Sequence, residues 1–266
     1  MKILHVSDIH FCKGYEKSLT GYKSVLYKMQ SPLLPLDFCL DRVMKEVKDL
    51  DVLLISGDLS EDGTADDYRH LHEYLEEKMG DIPIVVTLGN HDSKRGFRQG
   101  WLGEDGEEPY NVVQKIGNVT VVGFDNSVQG NPNGEVSEEQ MQWLEKTLDD
   151  HAGETVFLLI HHHLKDQQLS GVPYMPGSDE LLDLLRRKGV SCIFCGHTHH
   201  NYAGVLRDIP YYTVDGMSFY ADNRTDGAVR FQEKFGYGYY EFENGIITHH
   251  KTETFATGKV LADLFF

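Results

Sequence analysis

Six short apolar runs punctuate the chain up to about residue 200, with helical patterns between several of them. They are Ile3–Ser7, Val52–Ser56, Ile84–Leu88, Val119–Phe124, Val156–Ile160 and Cys192–Cys195. Each is β-branched or leucine-rich and nearly unbroken by polar residues, the pattern of strands buried on both faces. Leu36, Leu40, Val43, Val47 and Leu50 share one helical face, and Tyr68, Leu71, Leu75 and Met79 share another behind a Thr64 cap. Ser137-Glu138-Glu139-Gln140 reads as a capping box opening a third helix. Ser178 to Gly189 carries acid in its first turn, base in its last and a terminal glycine. Alternation of strand and helix predicts an α/β fold. After Gly204 the pattern turns to antiparallel strands, with Asn244-Gly245 as a hairpin signal between Tyr237–Glu243 and Ile246–Thr254. No linker or repeat divides the chain. The expectation is a single domain over 1–266, two sheets between helices, with a β-rich C-terminal part over 202–254.

The residues just past the carboxyl ends of these runs are chemically selective. Asp8 and His10 come after the first, Asp58 after the second, and Asn90, His91 and Asp92 after the third. His161 comes directly after Val156–Ile160, and His197 and His199 after Cys192–Cys195. In open α/β sheets the ligand crevice lies beyond the carboxyl ends of the strands, so these side chains are expected to converge. Two carboxylates, an amide oxygen and four imidazoles exceed one four-coordinate zinc site. Two ions sharing a bridging carboxylate account for them better, and pairs roughly 3.5–4 Å apart recur in phosphoryl transfer because they stabilise both attacking and leaving oxygens. His91 is the candidate general acid toward the leaving oxygen, with Asp92 beside it to orient the ring. The set lacks thiolate, which suits manganese, iron or zinc.

The ordered segments resemble the calcineurin-like metallophosphoesterases. They are Asp8-Ile9-His10, Gly57-Asp58-Leu59-Ser60-Glu61-Asp62-Gly63, Gly89-Asn90-His91-Asp92, His161-His162 and Gly196-His197-Thr198-His199. Gly123-Phe124-Asp125-Asn126-Ser127 and the Gly134 to Leu144 stretch resemble the branch that holds bacterial class III cyclic-nucleotide phosphodiesterases. The resemblance implies a four-layer αββα sandwich with a dinuclear centre. It assigns one ion to Asp8, His10, Asp58 and His199, and the other to Asp58, Asn90, His161 and His197. It further implies in-line attack on phosphorus by a metal-bridging hydroxide, with His91 assisting departure. The chain has His163-Leu164 where members of this branch often place proline after the paired histidines. His162 is therefore the alternative at that position, as a substrate contact.

Net charge bears on partners. With 25 Lys+Arg against 42 Asp+Glu the formal charge is −17, and the densest basic clusters are too short for the stripe that tracks a nucleic-acid backbone. A small anionic substrate, such as a nucleotide, remains compatible because local fields in a cleft can oppose the global sign. No apolar run approaches the roughly 18–20 residues of a membrane span. The first residues lack the apolar region of a secretory signal, and four cysteines make no disulfide framework, so a cytoplasmic location is expected.

The expected activity is metal-dependent phosphodiester hydrolysis. A phosphomonoesterase acting on a phosphoprotein or nucleotide is the alternative, and a non-catalytic protein-binding scaffold of the same fold is the rival from another class. Of the other histidines, His5 is expected in the core or behind the ligands, His163 and His200 in loops, and His70, His72 and His151 on exposed helical positions. Cys192-x-x-Cys195 reads as packing, because residues three apart on a strand face opposite sides. Lys94, Arg95 and Arg98 read as a solvated loop. Substrate selection is expected from loops at 11–35, 93–110, 126–136, 162–177 and 216–236. The first of these, with Tyr15, Tyr22 and Tyr27, is read either as a cap over the site or as a homodimer contact.

Overall fold

A computed structural model describes residues 1–165 and 174–265. Two six-stranded sheets lie face to face, with helices on both outer surfaces, giving αββα layers. The first sheet runs β10 (Tyr220–Asn223), β11 (Val229–Glu243), β1 (Lys2–Val6), β2 (Val52–Ser56), β3 (Ile84–Thr87), with β12 (Ile246–Leu264) paired to β11. The second runs β4 (Val112–Ile116), β5 (Val119–Phe124), β6 (Thr155–Ile160), β7 (Cys192–Cys195), β9 (Ile209–Thr213), β8 (Tyr202–Leu206). Strands β1, β2 and β3 are parallel, as are β5, β6, β7 and β9. All their carboxyl ends therefore open toward one edge of the sandwich.

The unbroken apolar runs have a simple cause. Leu4, Val6, Leu53 and Ile55 face α2 (Leu33–Glu46) and α3 (Ala65–Met79), while Ile3, Val52, Leu54 and Val85 meet the second sheet. Val121, Phe157, Leu159 and Phe194 meet them from the other side. Val122, Leu158, Ile160 and Ile193 face α5 (Glu138–Asp150) and α6 (Ser178–Arg187). With no solvent face, alternation disappears. Cys192 lies in the inter-sheet layer and Cys195 in the helix-facing layer, so the pair is packing.

Thr64 and Asp67 close a full capping box on α3. At Ser137 only half of one forms: its side chain accepts from Gln140 N, while the Gln140 amide donates to the Asp125 carbonyl. Asn244 and Gly245 both have positive φ, 52° and 87°, as a type I′ hairpin turn demands.

Several expectations are corrected. The 11–35 segment is not all loop; it holds α1 (Gly21–Lys28) and the start of α2. The 216–236 segment holds β10 and the start of β11, and 93–110 holds α4 (Lys94–Phe97) and one π-helical stretch, Arg98–Leu102. Helix α2 stops at Glu46, short of Leu50, and the C-terminal strand reaches Leu264 rather than 254. Part of the expected 162–177 loop, residues 166–173, lies outside the described residues. Among the described residues no helix is long and apolar enough to cross a membrane.

His5 sits in the inter-sheet layer, fully buried, its Nε2 2.7 Å from Ser56 Oγ. Burial depresses its pKa to about 3, against an opposing pull from Asp8. Between that value and the 6.5 of the unfolded chain, only the unfolded state takes up the proton, so stability falls as pH falls. From pH 6.5 to 4.5 this group is expected to cost about 2 kcal/mol. Urea unfolding at both values checks it: His5→Gln should show that much less acid destabilisation than the parent chain.

Candidate dinuclear metal centre

Beyond the ends of β1 and β2 the two strand exits stay tied together. Asp8 N donates to Gly57 O at 3.0 Å, His10 N to Asp58 O at 2.8 Å and Phe11 N to Leu59 O at 3.0 Å. These ties hold an unusual backbone. Asp8, His10, Asp58, His197 and His199 all have φ between 49° and 68°. The left-handed region costs L-residues roughly 1–2 kcal/mol each, and such outliers cluster at functional sites. Gly57, at φ 91°, cannot be replaced cheaply: a Cβ there would stand 2.5 Å from His161 Nδ1.

The seven expected ligand residues come together, each at most 8% exposed. His199 Nε2 is 3.3 Å from Asp8 Oδ1, and His161 Nε2 is 3.3 Å from both Asp58 Oδ2 and Asn90 Oδ1. His10 Nε2 is 3.6 Å from Asp58 Oδ2, and the His161 and His197 rings are 5.0 Å apart. Ligand-type atoms of Asp8, His10 and His199 lie within 4.8 Å of one another, and so do those of Asp8, Asp58 and His161. A further group joins His161, His162 and His197.

The donor chemistry fits cations. The far nitrogens of three rings are spoken for: His161 Nδ1–H donates to Ser56 O at 2.7 Å, His199 Nδ1–H to Phe219 O at 2.7 Å, and His10 Nδ1–H to Glu61 at 2.6 Å. Each bond fixes the tautomer and turns Nε2 into the centre, the usual arrangement behind a metal-ligating imidazole. Asp8 Oδ1 and the Nε2 atoms of His10, His162 and His197 are buried there with no hydrogen-bond partner among the described residues. Burial at that cost is otherwise avoided. Burial and neighbouring imidazoles hold His162 and His197 well below the ordinary pKa, leaving their lone pairs open. Burial raises the Asp58 and Asp8 carboxyls, but the facing histidines outweigh it and keep both ionised.

His91 stands at the rim, its side chain 29% exposed. Its backbone N donates to Asp58 Oδ1 at 2.9 Å. Burial lowers its pKa, yet Asp58 and Glu61 together raise it to about 10. Asp92 does not orient the ring. Its carboxylate accepts from Leu59 N at 3.1 Å, Ser60 N at 3.0 Å, Gly89 N at 2.8 Å and Tyr68 OH at 2.9 Å, which spends it on clamping the β2 and β3 exits together. The ring is held by Glu61, whose Oε1 lies 2.9 Å from His91 Nδ1. Glu61 thus bridges His10 and His91, and although burial raises its carboxyl, those two rings pull it down to about 2. In the sequence Glu61 stands inside the Gly57-to-Gly63 segment with nothing to tie it to His10 or His91; only the fold brings it to those two rings.

The remaining histidines divide by burial. His163 and His200 lie in loops, as expected, but are buried, and His163 stacks on His197 with ring centres 5.6 Å apart. His70 is an exposed helical residue, as expected. His72 and His151 are half-buried instead: His72 stacks on Trp101 with ring centres 4.3 Å apart, and His151 closes the α5 terminus. Lys94, Arg95 and Arg98 are each paired with carboxylates: Asp125, Glu107, and Glu104 with Glu108. Helix α1 lies over the rim. Val25, Leu26 and Met29 pack against Phe219, Phe231 and Leu261, and Tyr22 OH donates to Glu61 at 3.1 Å.

Two sheets, four layers and a cluster of unsatisfied histidine and carboxylate atoms at the strand ends define a metal-dependent phosphoesterase. The calcineurin-like phosphoesterase model matches residues 1–201, and the chain belongs to that family. It is 28% identical over 225 residues to a protein of Rhodococcus erythropolis named as a probable cyclic nucleotide phosphodiesterase, covering 83% of this chain and 72% of that one. It is 29% identical to a probable glycerophosphodiester phosphodiesterase of Arcobacter nitrofigilis, covering 75% of this chain and 77% of the relative. Among solved structures, a dimetal phosphatase from Danio rerio superposes with a TM-score of 0.57 at 15% identity, covering 86% of this chain and 94% of that one, a likeness of fold.

Proposed function

We propose that the chain hydrolyses a small phosphodiester, with Asp8, His10, Asp58 and His199 holding one divalent ion and Asp58, Asn90, His161 and His197 the other. The carrying observation is the set of buried ligand atoms, Asp8 Oδ1 and the Nε2 atoms of His10 and His197, that have no hydrogen-bond partner among the described residues. Bound there, two ions supply Lewis acidity toward the phosphoryl oxygens and lower the pKa of the attacking water. Asp58, within reach of both His10 and His161, would be the carboxylate shared by the two ions. His91 Nε2 carries the proton given to the leaving oxygen, because its Nδ1–H is committed to Glu61. Glu61 orients both a ligand ring and the acid. Manganese, iron and zinc all suit this oxygen and nitrogen set.

The names of the relatives favour a diester, cyclic-nucleotide or glycerophosphodiester in type, over a monoester. The protein loaded with Mn²⁺ should turn over bis(p-nitrophenyl) phosphate faster than p-nitrophenyl phosphate. A clear preference for the monoester would overturn the diesterase reading. The single domain, the reducing compartment that suits four free thiols, and the absence of a long nucleic-acid partner complete the reading.

Glu61→Ala should weaken metal binding about 10–100-fold, the usual cost of losing the group behind a ligand histidine. Titration of the apo protein with Mn²⁺ or Zn²⁺ by calorimetry measures it. An unchanged affinity would assign Glu61 to the acid alone.

A further inference from the structure

We infer that Tyr22 is a positioning residue for the metal centre, coupling the docking of α1 to retention of one ion, the one assigned to Asp8, His10, Asp58 and His199. This coupling rests on the two-ion reading above and adds to it a difference between the two sites.

One route from α1 to the centre runs through Glu61. Among the described residues its carboxylate accepts from His10 Nδ1 at 2.6 Å, His91 Nδ1 at 2.9 Å and Tyr22 OH at 3.1 Å. Tyr22 and His10 share the same oxygen, Oε2. Glu61 also borders a cavity of about 260 Å³, walled by Cys12, Tyr15 and Leu26. Without the Tyr22 hydroxyl the carboxylate can turn into that cavity and give up one of its rings. A His10 ring no longer held at Nδ1 is a poorer ligand at Nε2, because the outer partner fixes ring orientation and raises basicity.

The other route runs through Phe219. Its carbonyl accepts from His199 Nδ1–H at 2.7 Å. Its ring stacks on His199 with centres 4.5 Å apart and lies 5.2 Å from the His10 ring. The same side chain packs with Val25 and Leu26 of α1, and the Tyr22 ring is centred 6.0 Å away. Helix α1 therefore backs two histidines of one proposed ligand set.

The other set is supported from elsewhere. His161 Nδ1–H goes to Ser56 O at 2.7 Å, and the His197 ring packs against those of His162 and His163, centred 4.7 and 5.6 Å away. Asn90 O accepts from Gly130 N at 2.9 Å.

Helix α1 is weakly built in its own right. Eight residues without a side-chain N-cap are too few to hold a helix alone, so its order comes from docking. Coupling between two equilibria is reciprocal: if docked α1 tightens the ion, the ion steadies α1.

Calorimetric titration of Zn²⁺ into the full-length apo protein, with hydrogen exchange followed across α1, tests the coupling. The parent chain should take up two ions. Tyr22→Phe keeps the ring contacts and should weaken one ion about tenfold, leaving the other within about twofold. On the Glu61→Ala background the same substitution should cost nothing further, whereas a purely structural role would cost as much on both. Exchange of the α1 amides should slow severalfold when the parent chain is loaded, and by much less in Tyr22→Phe. Two ions in the parent chain, with Tyr22→Phe changing neither affinity or both equally, overturn the coupling and leave the two-ion reading standing. An equal loss on both backgrounds, or α1 exchange indifferent to Zn²⁺, overturns it too. A parent chain that binds fewer than two ions overturns both.

Discussion

Asp58→Asn should reduce metal-dependent phosphoesterase turnover by on the order of 10³-fold or more while the chain still folds. Asp58 is buried and lies 3.3 Å from His161 and 3.6 Å from His10, within reach of a histidine of each proposed ion site. Losing an ion loses several kcal/mol of charge stabilisation in the transition state, and each 1.36 kcal/mol is tenfold in rate. The amide keeps the shape, keeps an oxygen for the His91 N–H, and accepts the left-handed backbone at φ 49°. Far-UV circular dichroism should therefore be unchanged, while bound metal per chain, counted by elemental analysis, should fall below two. Undiminished turnover with both ions retained would remove Asp58 from the bridging position.

The second large effect is expected at His91. His91→Gln should lower kcat about 10²–10⁴-fold on a diester with an alkyl leaving group, the usual contribution of a positioned acid. On bis(p-nitrophenyl) phosphate the loss should be small, because a nitrophenolate departs without help from a proton. Comparing the two leaving groups in parent and variant separates an acid from a residue that merely packs. Equal losses on both would make His91 a binding or structural group. Metal content should hold in this variant, since His91 belongs to neither proposed ligand set.

The parts of this fold visible in the sequence are those governed by one local rule. Strands β1, β2, β3, β5, β6 and β7 are buried on both faces, so each is a continuous apolar run. Helix α3 announces itself by Thr64 and Asp67. Elements on the rim obey no such rule. Helix α1 has eight residues, no side-chain cap and only Ser24, Val25 and Leu26 buried, so its reason to be helical lies in the hydrophobic cluster it joins. The first half of β11 mixes Arg230, Gln232, Glu233 and Lys234 with its apolar residues, and gains its order from β10 and β12 on either side. Strand β4, at the sheet edge, alternates as VVQKI with only Ile116 buried.

The site divides in the same way. Ligand candidates could be found one at a time, because each strand delivers its own. The partners of their second nitrogens could not. Ser56 O and Phe219 O are backbone atoms with no sequence signature, and Glu61 reaches two rings that stand 51 and 30 residues away. Asp92 shows the opposite error: adjacency in sequence suggested a bond to His91, whereas its side chain turns inward to four other donors.

The ligand set has a mechanical side. Asp8, His10, Asp58 and Asn90 ride on β1, β2 and β3, whereas His161, His197 and His199 ride on β6 and β7 of the opposite sheet. Ions held between them, as proposed, would act as rivets through two plates, with Ile3, Leu54, Phe157 and Phe194 as the friction layer. Slippage of one plate by an ångström would open the coordination distances without touching a single ligand. Close packing of the interior resists such slippage. Changes of side-chain volume in that layer, far from phosphorus, should therefore tune the gap between the ions, and with it the reach of the centre across a substrate.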